Sequence, residues 1–282
     1  VGRLVILAGG GVLPHIGMRE AIEAGEDPLF FGLIESEFEP NIYESRTSKI
    51  HITQVSKLFK KLHEVGADRL LMLGKVKKEL LYQNLKFDLK ALSLLAKTTT
   101  RHDYPIFAVL ADELSKNGVE VVSQKLFLKS LLLPSGKYTK FKISSDLWGN
   151  VIFGMQFARN MAELEIGQMV VVQDKCVIAV EAVEGTDACI RRAGSLSKNK
   201  EELVVCKAGK KKQDPRFDLP TVGPETILTI KESGGKVLAL EEGSCLMISP
   251  KETIALAEKE KIHILVLSPG NWNAQPKTTK LL

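Results

Sequence analysis

Between Lys207 and Pro220 the chain places four lysines, one arginine and two aspartates. Cations bind phosphates, and carboxylates bind divalent metal or activate water. Breaking a phosphoanhydride needs both kinds of group close together, because the transition state concentrates negative charge around a metal-held phosphoryl. Asp214, Arg216 and Asp218 alternate. In an extended loop all three would point to one side, as two metal-binding carboxylates and a phosphate-gripping guanidinium. Pro215 and Pro220 would stiffen such a loop. A charged run is equally the composition of a solvated surface loop.

Four other segments carry groups that could do chemistry. Glu181, Glu184 and Asp187 bring three acids into seven residues, with Gly185 and Thr186 among them. Carboxylates so close repel unless a divalent metal or the later lysines sit between them; Thr186 or Asp187 also suits the cap of a following helix. Gly9-Gly10-Gly11 follows an apolar run and opens a helix, so its backbone N–H groups could face an anion. It lacks the spacing of a dinucleotide fingerprint or a P-loop, and a tight turn needs the same small residues. Gly74-Lys75-Val76-Lys77-Lys78 follows another strand-like run, where open α/β sheets bind ligands. Arg101-His102-Asp103-Tyr104-Pro105 precedes a helix and reads first as its cap.

The elements that must position these groups alternate. Arg3–Ala8, Pro28–Ile34, Arg69–Leu73 and Val119–Val122 read as strands. Leu13–Ala24, Gln54–Val65 and Asp103–Asn117 read as helices. Strand, glycine turn, helix, strand implies parallel pairing through crossover helices. A boundary falls near Pro134-Ser135-Gly136, with Lys137–Lys142 as linker. The second half predicts a helix over Ser145–Glu163 capped by Ser144 or Ser145, and strands Gln168–Gln173 and Cys176–Ala182 joined by a two-residue turn. A helix over Glu184–Leu196, a strand over Leu203–Cys206 and a helix over Pro224–Ser233 follow. Strands at Lys236–Leu240, Leu246–Ser249 and His263–Leu267 and a helix at Pro250–Lys259 complete it. The expected fold is two α/β domains, residues 1–134 (Rossmann-like) and 143–270 (catalytic), joined by a short linker with a ligand cleft between them. Residues 271–282 form a polar, unpatterned tail expected to be disordered or an added segment.

The 282 residues are 44% hydrophobic and 26% charged, which suits a soluble globular protein with real cores. A net charge of +5 fits anionic substrates or an anionic membrane surface. Aromatics, at 6%, do not interleave with basic residues, so no nucleic-acid partner is expected. The four cysteines form no CxxC pair and indicate neither zinc nor a disulfide framework. A reducing cytosol is the natural compartment. No leader and no membrane-spanning run is visible, so a lipid substrate would have to be met from the side of a membrane.

Taken together, AGGGVLP, GKVK, GQMVVV, AVEAVEGTDACIRRAG and VCKAGKKKQDPRFDLPTVGPETI, in this order, resemble the LpxI-type UDP-2,3-diacylglucosamine pyrophosphatases, from about Arg3 to Pro269. The resemblance implies a two-domain α/β enzyme of bacterial lipid A biosynthesis. Such an enzyme hydrolyses UDP-2,3-diacylglucosamine to UMP and 2,3-diacylglucosamine 1-phosphate with Mg2+ or another divalent cation, in the cytoplasm at the inner face of the inner membrane. A homodimer is compatible with it. Carried over, it points to Asp218, Asp214, Asp187 and Glu184 as catalytic, with Asp218, Asp214 and Asp187 as metal ligands. Gly9, Gly10, Gly11, Lys75, Lys77, Gly185, Thr186, Lys207, Gln213, Arg216 and Thr221 would contact substrate. The chain departs from the family pattern at His102-Asp103-Tyr104-Pro105, where a pair of aspartates is expected and only Asp103 stands. A nucleotide-sugar binding protein without catalysis, or a hydrolase for another nucleotide sugar, are the alternatives. Phe141, Leu147, Trp148, Ile152, Phe153, Met155 and Phe157 could line the acyl chains or pack a core.

Overall fold

The structure, a computed structural model, describes residues 2–36, 38–76, 87–97, 103–197, 202–217 and 219–279, with only the backbone at 103–105. The chain forms two compact units. One is Val1–Lys129 with the returning segment Asp214–Asp218; the other is Ser130–Gln213 with Leu219–Leu282. The sequence assigns 214–218 to the second domain, whereas the structure returns it to the first. The reason is Phe217, 3% exposed within the apolar core of the first unit and stacked on Phe107 at 5.8 Å.

The first unit runs β1 (Arg3–Ala8), α1 (Leu13–Glu23), β2 (Leu29–Leu33), β3 (Thr47–Ile50), α2 (Val55–Glu64), β4 (Ala67–Leu73), α3 (Leu89–Leu95), α4 (Asp103–Lys116) and β5 (Glu120–Val121). Its sheet has the order β3-β2-β1-β4-β5, and every pairing is parallel. Apolar runs such as Leu4–Ala8 are buried along their length, as a sheet covered on both faces requires. Val5, Leu7, Leu70 and Met72 pack with Leu58 and Leu62 of α2 and Ala111 and Leu114 of α4. On the other face α1 lies so close that a Cβ at Gly17 would meet Leu73 at 2.2 Å. The strand order reverses between β1 and β4, so the loops after these two strands flank the switch point where α/β sheets bind ligands.

The second unit runs β6 (Gly136–Lys137), α5 (Ser145–Glu163), β7 (Met169–Gln173), β8 (Cys176–Val180), α6 (Thr186–Leu196), β9 (Leu203–Lys207), β10 (Thr221–Val222), α7 (Pro224–Glu232), β11 (Gly235–Glu241), β12 (Leu246–Met247), α8 (Pro250–Lys259) and β13 (His263–Leu267). The main sheet has the order β6-β13-β11-β9-β7-β8. β13, β11 and β9 are parallel, while β6, β7 and β8 join antiparallel. Asp174 and Lys175 turn β7 into β8 with φ of 50° and 54°, the left-handed pair of a tight hairpin turn. α5 covers one face and α6, α7 and α8 the other. Ser144 caps α5, its side chain accepting from the Leu147 N–H.

Two expectations fail in this unit. The stretch read as a linker supplies edge strand β6, because Gly136 and Lys137 pair with Val266 and Leu265. The tail is not loose up to residue 279. The Lys137 N–H donates to the Lys277 carbonyl at 2.8 Å, and the Thr279 N–H to the Lys137 carbonyl at 2.9 Å. Trp272 packs against the core under α5. β3 and α3 are elements that the sequence pattern did not signal, being four and seven residues long.

Candidate active site

In the second unit, β8 and β9 end near each other, and the groups beyond them meet. The Lys207 ammonium, on a residue 4% exposed, donates to Thr186 Oγ1 at 2.6 Å and lies 3.7 Å from Glu181 Oε2. Thr186 Oγ1 in turn donates to Glu181 Oε1 at 2.6 Å. The hydroxyl thus links a buried cation to a carboxylate, and the three groups satisfy one another. Gly185 opens α6 with φ of 83°, a backbone state that disfavours a side chain and lets the chain turn from β8 into α6. The two expected site residues Lys207 and Thr186 are brought together. Glu181, their third partner, was legible in the acid cluster but was not singled out.

Asp187 stands in the first turn of α6, and its Oδ1 is buried with no hydrogen-bond partner in the described residues. A carboxylate oxygen left this way has the character of a hard-cation ligand. Glu184 is otherwise engaged: it accepts from the Ala182 N–H at 3.1 Å and from Arg192 at 2.8 Å.

The basic loop is held by its neighbours. Lys210 Nζ meets Glu165 at 2.6 Å, and the Lys211 N–H donates to Glu163 at 2.5 Å. Gln213 Oε1 accepts from the Lys210 N–H at 3.2 Å. Thr221 Oγ1 donates to the Leu219 carbonyl within the turn before β10.

In the first unit, residues 214–217 form a turn instead of an extended strand, with the Phe217 N–H donating to the Asp214 carbonyl at 3.2 Å. Aspartate followed by proline favours this turn. Arg216 therefore folds back on Asp214, its Nη2 2.7 Å and its Nε 3.0 Å and 3.1 Å from the carboxylate. The Arg216 hydrogen bonds hold the Asp214 carboxyl below its usual range. With both oxygens bound to Arg216, Asp214 does not fit a metal ligand. Asp218 and Lys77 lie outside the described residues, as does His102.

The glycine loop is closed by backbone. The Gly9 N–H donates to the Leu73 carbonyl at 2.8 Å, the Gly10 N–H to the Lys75 carbonyl at 2.9 Å, and the Lys75 N–H to the Gly10 carbonyl at 2.8 Å. A Cβ at Gly9 would sit 2.6 Å from the Lys75 carbonyl oxygen, and one at Gly10 2.6 Å from that of Ser36. These two glycines serve close approach of the β1 and β4 loops, and their N–H groups are not turned to an anion. Gly11, with φ of 91° and open space around it, stays accessible, as does the exposed Lys75 side chain. An apolar pocket beside these loops is lined by Leu7, Leu33, Ile50, Val55, Val76 and Phe107. In the second unit, Trp148 and Met155 are core residues and Phe157 is exposed, so that stretch is mainly packing.

Among the described residues, no group of three or more His, Cys, Asp or Glu is placed to hold a metal ion. No described helix is long and apolar enough to cross a membrane.

Comparison with known proteins adds three findings. Residues 3–131 match the family model of the LpxI N-terminal domain, and residues 134–265 that of the LpxI C-terminal domain. The UDP-2,3-diacylglucosamine pyrophosphatase LpxI of Caulobacter vibrioides is 29% identical over 276 residues, covering 95% of this chain and 98% of that protein. A crystal structure of a provisionally assigned epimerase from Burkholderia cenocepacia J2315 aligns over 99% of this chain and 89% of its own at 11% identity and a TM-score of 0.32. That likeness carries no argument.

Proposed function

The chain belongs to the LpxI family, and from that membership we infer that it hydrolyses the pyrophosphate bond of UDP-2,3-diacylglucosamine in lipid A biosynthesis. The products are UMP and 2,3-diacylglucosamine 1-phosphate. The observation that carries this reading is the match of both family models, which span nearly the whole chain.

The residues suit the chemistry in distinct ways. Lys207 is a preorganised donor, held in place by Thr186 Oγ1, which accepts from it and donates to Glu181, and by Glu181 itself. Fixed donors of this kind stabilise charge developing on a phosphoryl oxygen without reorganising during reaction. Asp187 supplies a carboxylate oxygen suited to Mg2+ or a similar divalent cation. Such a cation, when bound, shields the diphosphate and lowers the pKa of water. Asp218 remains the first choice for the acid/base from the sequence, and Gly11 and Lys75 for contact with the nucleotide or sugar phosphate. Asp214 acts by fixing Arg216. The basic excess of the chain supports transient contact with an anionic membrane face.

Release of UMP from the substrate by the purified protein, with Mg2+ and with a chelator, tests the reading. Asp218→Ala should lower turnover by roughly two orders of magnitude or more with an unchanged circular dichroism spectrum. Titration calorimetry of Mg2+ into the wild type and Asp187→Asn reports the cation independently of activity. Substrate binding without UMP release would make the protein a nucleotide-sugar binder instead.

A further inference from the structure

Glu241 is the most enclosed carboxylate among the described residues, at 1% exposure, and no part of the reaction described above uses it. It ends β11, the strand beside β9. Leu240 is in register with Lys207, so Glu241 stands level with the start of the loop beyond β9. Its Oε1 accepts from Arg159 of α5, and that guanidinium lies over the Trp272 ring. Its Oε2 accepts from Ser244 Oγ at 2.9 Å and from the Gly209 N–H at 3.3 Å. A buried carboxylate is tolerated only when its charge is matched and its lone pairs are filled, and here one guanidinium and two neutral donors do both.

The consequence falls on the loop. Gly209 lies between Lys207 and Gln213, two residues to which the family resemblance points for substrate contact. A Cβ at Gly209 would meet Ser244 at 3.0 Å, so the turn after β11 is pressed against the loop after β9. Cys245, in that same turn, donates from its Sγ to the Lys207 carbonyl at 3.7 Å. Farther along the loop, Lys210 Nζ meets Glu165 and the Lys211 N–H donates to Glu163 at the end of α5.

We propose that Glu241 is a positioning residue for the hydrolysis: through Gly209 and Ser244 it sets the path of the loop from Lys207 to Gln213. It thereby fixes where the Lys207 ammonium and the Gln213 amide meet the substrate. This rests on the pyrophosphatase reading, and the test separates the two. Glu241→Gln keeps the shape of the side chain but removes its charge and sets an N–H against a donor. Ser244→Ala removes one anchor and leaves the Arg159 pair whole, which keeps the test open if Glu241→Gln folds poorly. Steady-state kinetics and amide hydrogen exchange are measured on both.

Glu241→Gln is expected to lower kcat about tenfold or more with KM within about twofold, and Ser244→Ala to act in the same direction by less. Exchange should quicken at Gly209–Gln213 while β7, β11 and β13 stay protected. Unchanged kcat in both variants, a loss that follows only the folded fraction, or unaltered exchange at Gly209–Gln213 would overturn the proposal. A wild type that releases no UMP would instead refute the pyrophosphatase reading, and the exchange data would still decide whether Glu241 anchors the loop.

Discussion

At the scale of single residues, several charges that read as chemistry are spent on local structure. Arg216 neutralises Asp214, Arg192 holds Glu184, and Lys210 meets Glu165. Lys207 and Thr186 are held to Glu181, while Asp187 keeps a buried oxygen with no hydrogen-bond partner among the described residues. His263 carries a different consequence. It is 7% exposed at the start of β13, its Nδ1 has no hydrogen-bond partner among the described residues, and Phe141 packs edge-on at 5.9 Å. Burial first, then the charges of Lys137 and Lys236, push its pKa below the ordinary histidine value. The unfolded chain therefore binds a proton more readily than the folded one. The neutral imidazole contributes stability fully above the unfolded value of about 6.5, and this is lost as pH falls through that value toward the folded pKa. Urea midpoints of the wild type and His263→Phe at about pH 7.5 and about pH 5.5 should show the wild type losing more, with a slope of at most about 1.4 kcal/mol per pH unit from this group. Equal pH dependence in both proteins would remove His263 as the cause.

At the scale of elements, the segment 214–217 has the clearest dependence on its setting. Pro215 and Asp214 make the turn, its carbonyl at Pro215 accepts from the Gln124 N–H at 2.8 Å, and Phe217 fills the core between β4, α4 and β5. Phe217→Ala should cost about 3–5 kcal/mol by lost transfer and a remaining cavity. In thermal unfolding followed by hydrogen exchange, that loss should appear in the strands of the first unit before those of the second. An unchanged melting temperature would mean that the phenyl ring is not a core group. The glycines of the loops after β1 and β4 obey a strict geometric logic of their own. Gly74, with φ of 92°, places the turn after β4 where any Cβ would strike the backbone of Gly9 at 2.7 Å.

At the scale of the whole molecule, the chain passes from the first unit to the second after Lys129, returns at Asp214 and leaves again after Asp218. The candidate site segment 214–218 thus belongs to the first unit, while the chain on either side of it belongs to the second. The C-terminal tail closes the second unit by pairing with β6 and by seating Trp272 near α5. Deleting residues 269–282 should therefore lower thermal stability, by about 1–3 kcal/mol from the indole and its lost burial alone. A differential scanning calorimetry trace that matches the full chain would show the tail to be dispensable.

What the sequence determined by itself is what depends on short-range pattern. The buried run RLVILA, the cap at Ser144, Pro250 opening α8 and the Asp174-Lys175 turn each encode an element through local sterics, capping or period. The motif order likewise sufficed for the family. Tertiary structure alone decided which charges were available. Glu241 and Arg159 lie 82 residues apart, and nothing local marks either as the other's counter-ion. The same holds for Phe217 in the first core, Lys137 as an edge strand and the tail that pairs with it. Hydrogen bonds and burial between distant segments have no sequence period, so they appear only when the chain has folded and each buried polar group has had to find a partner.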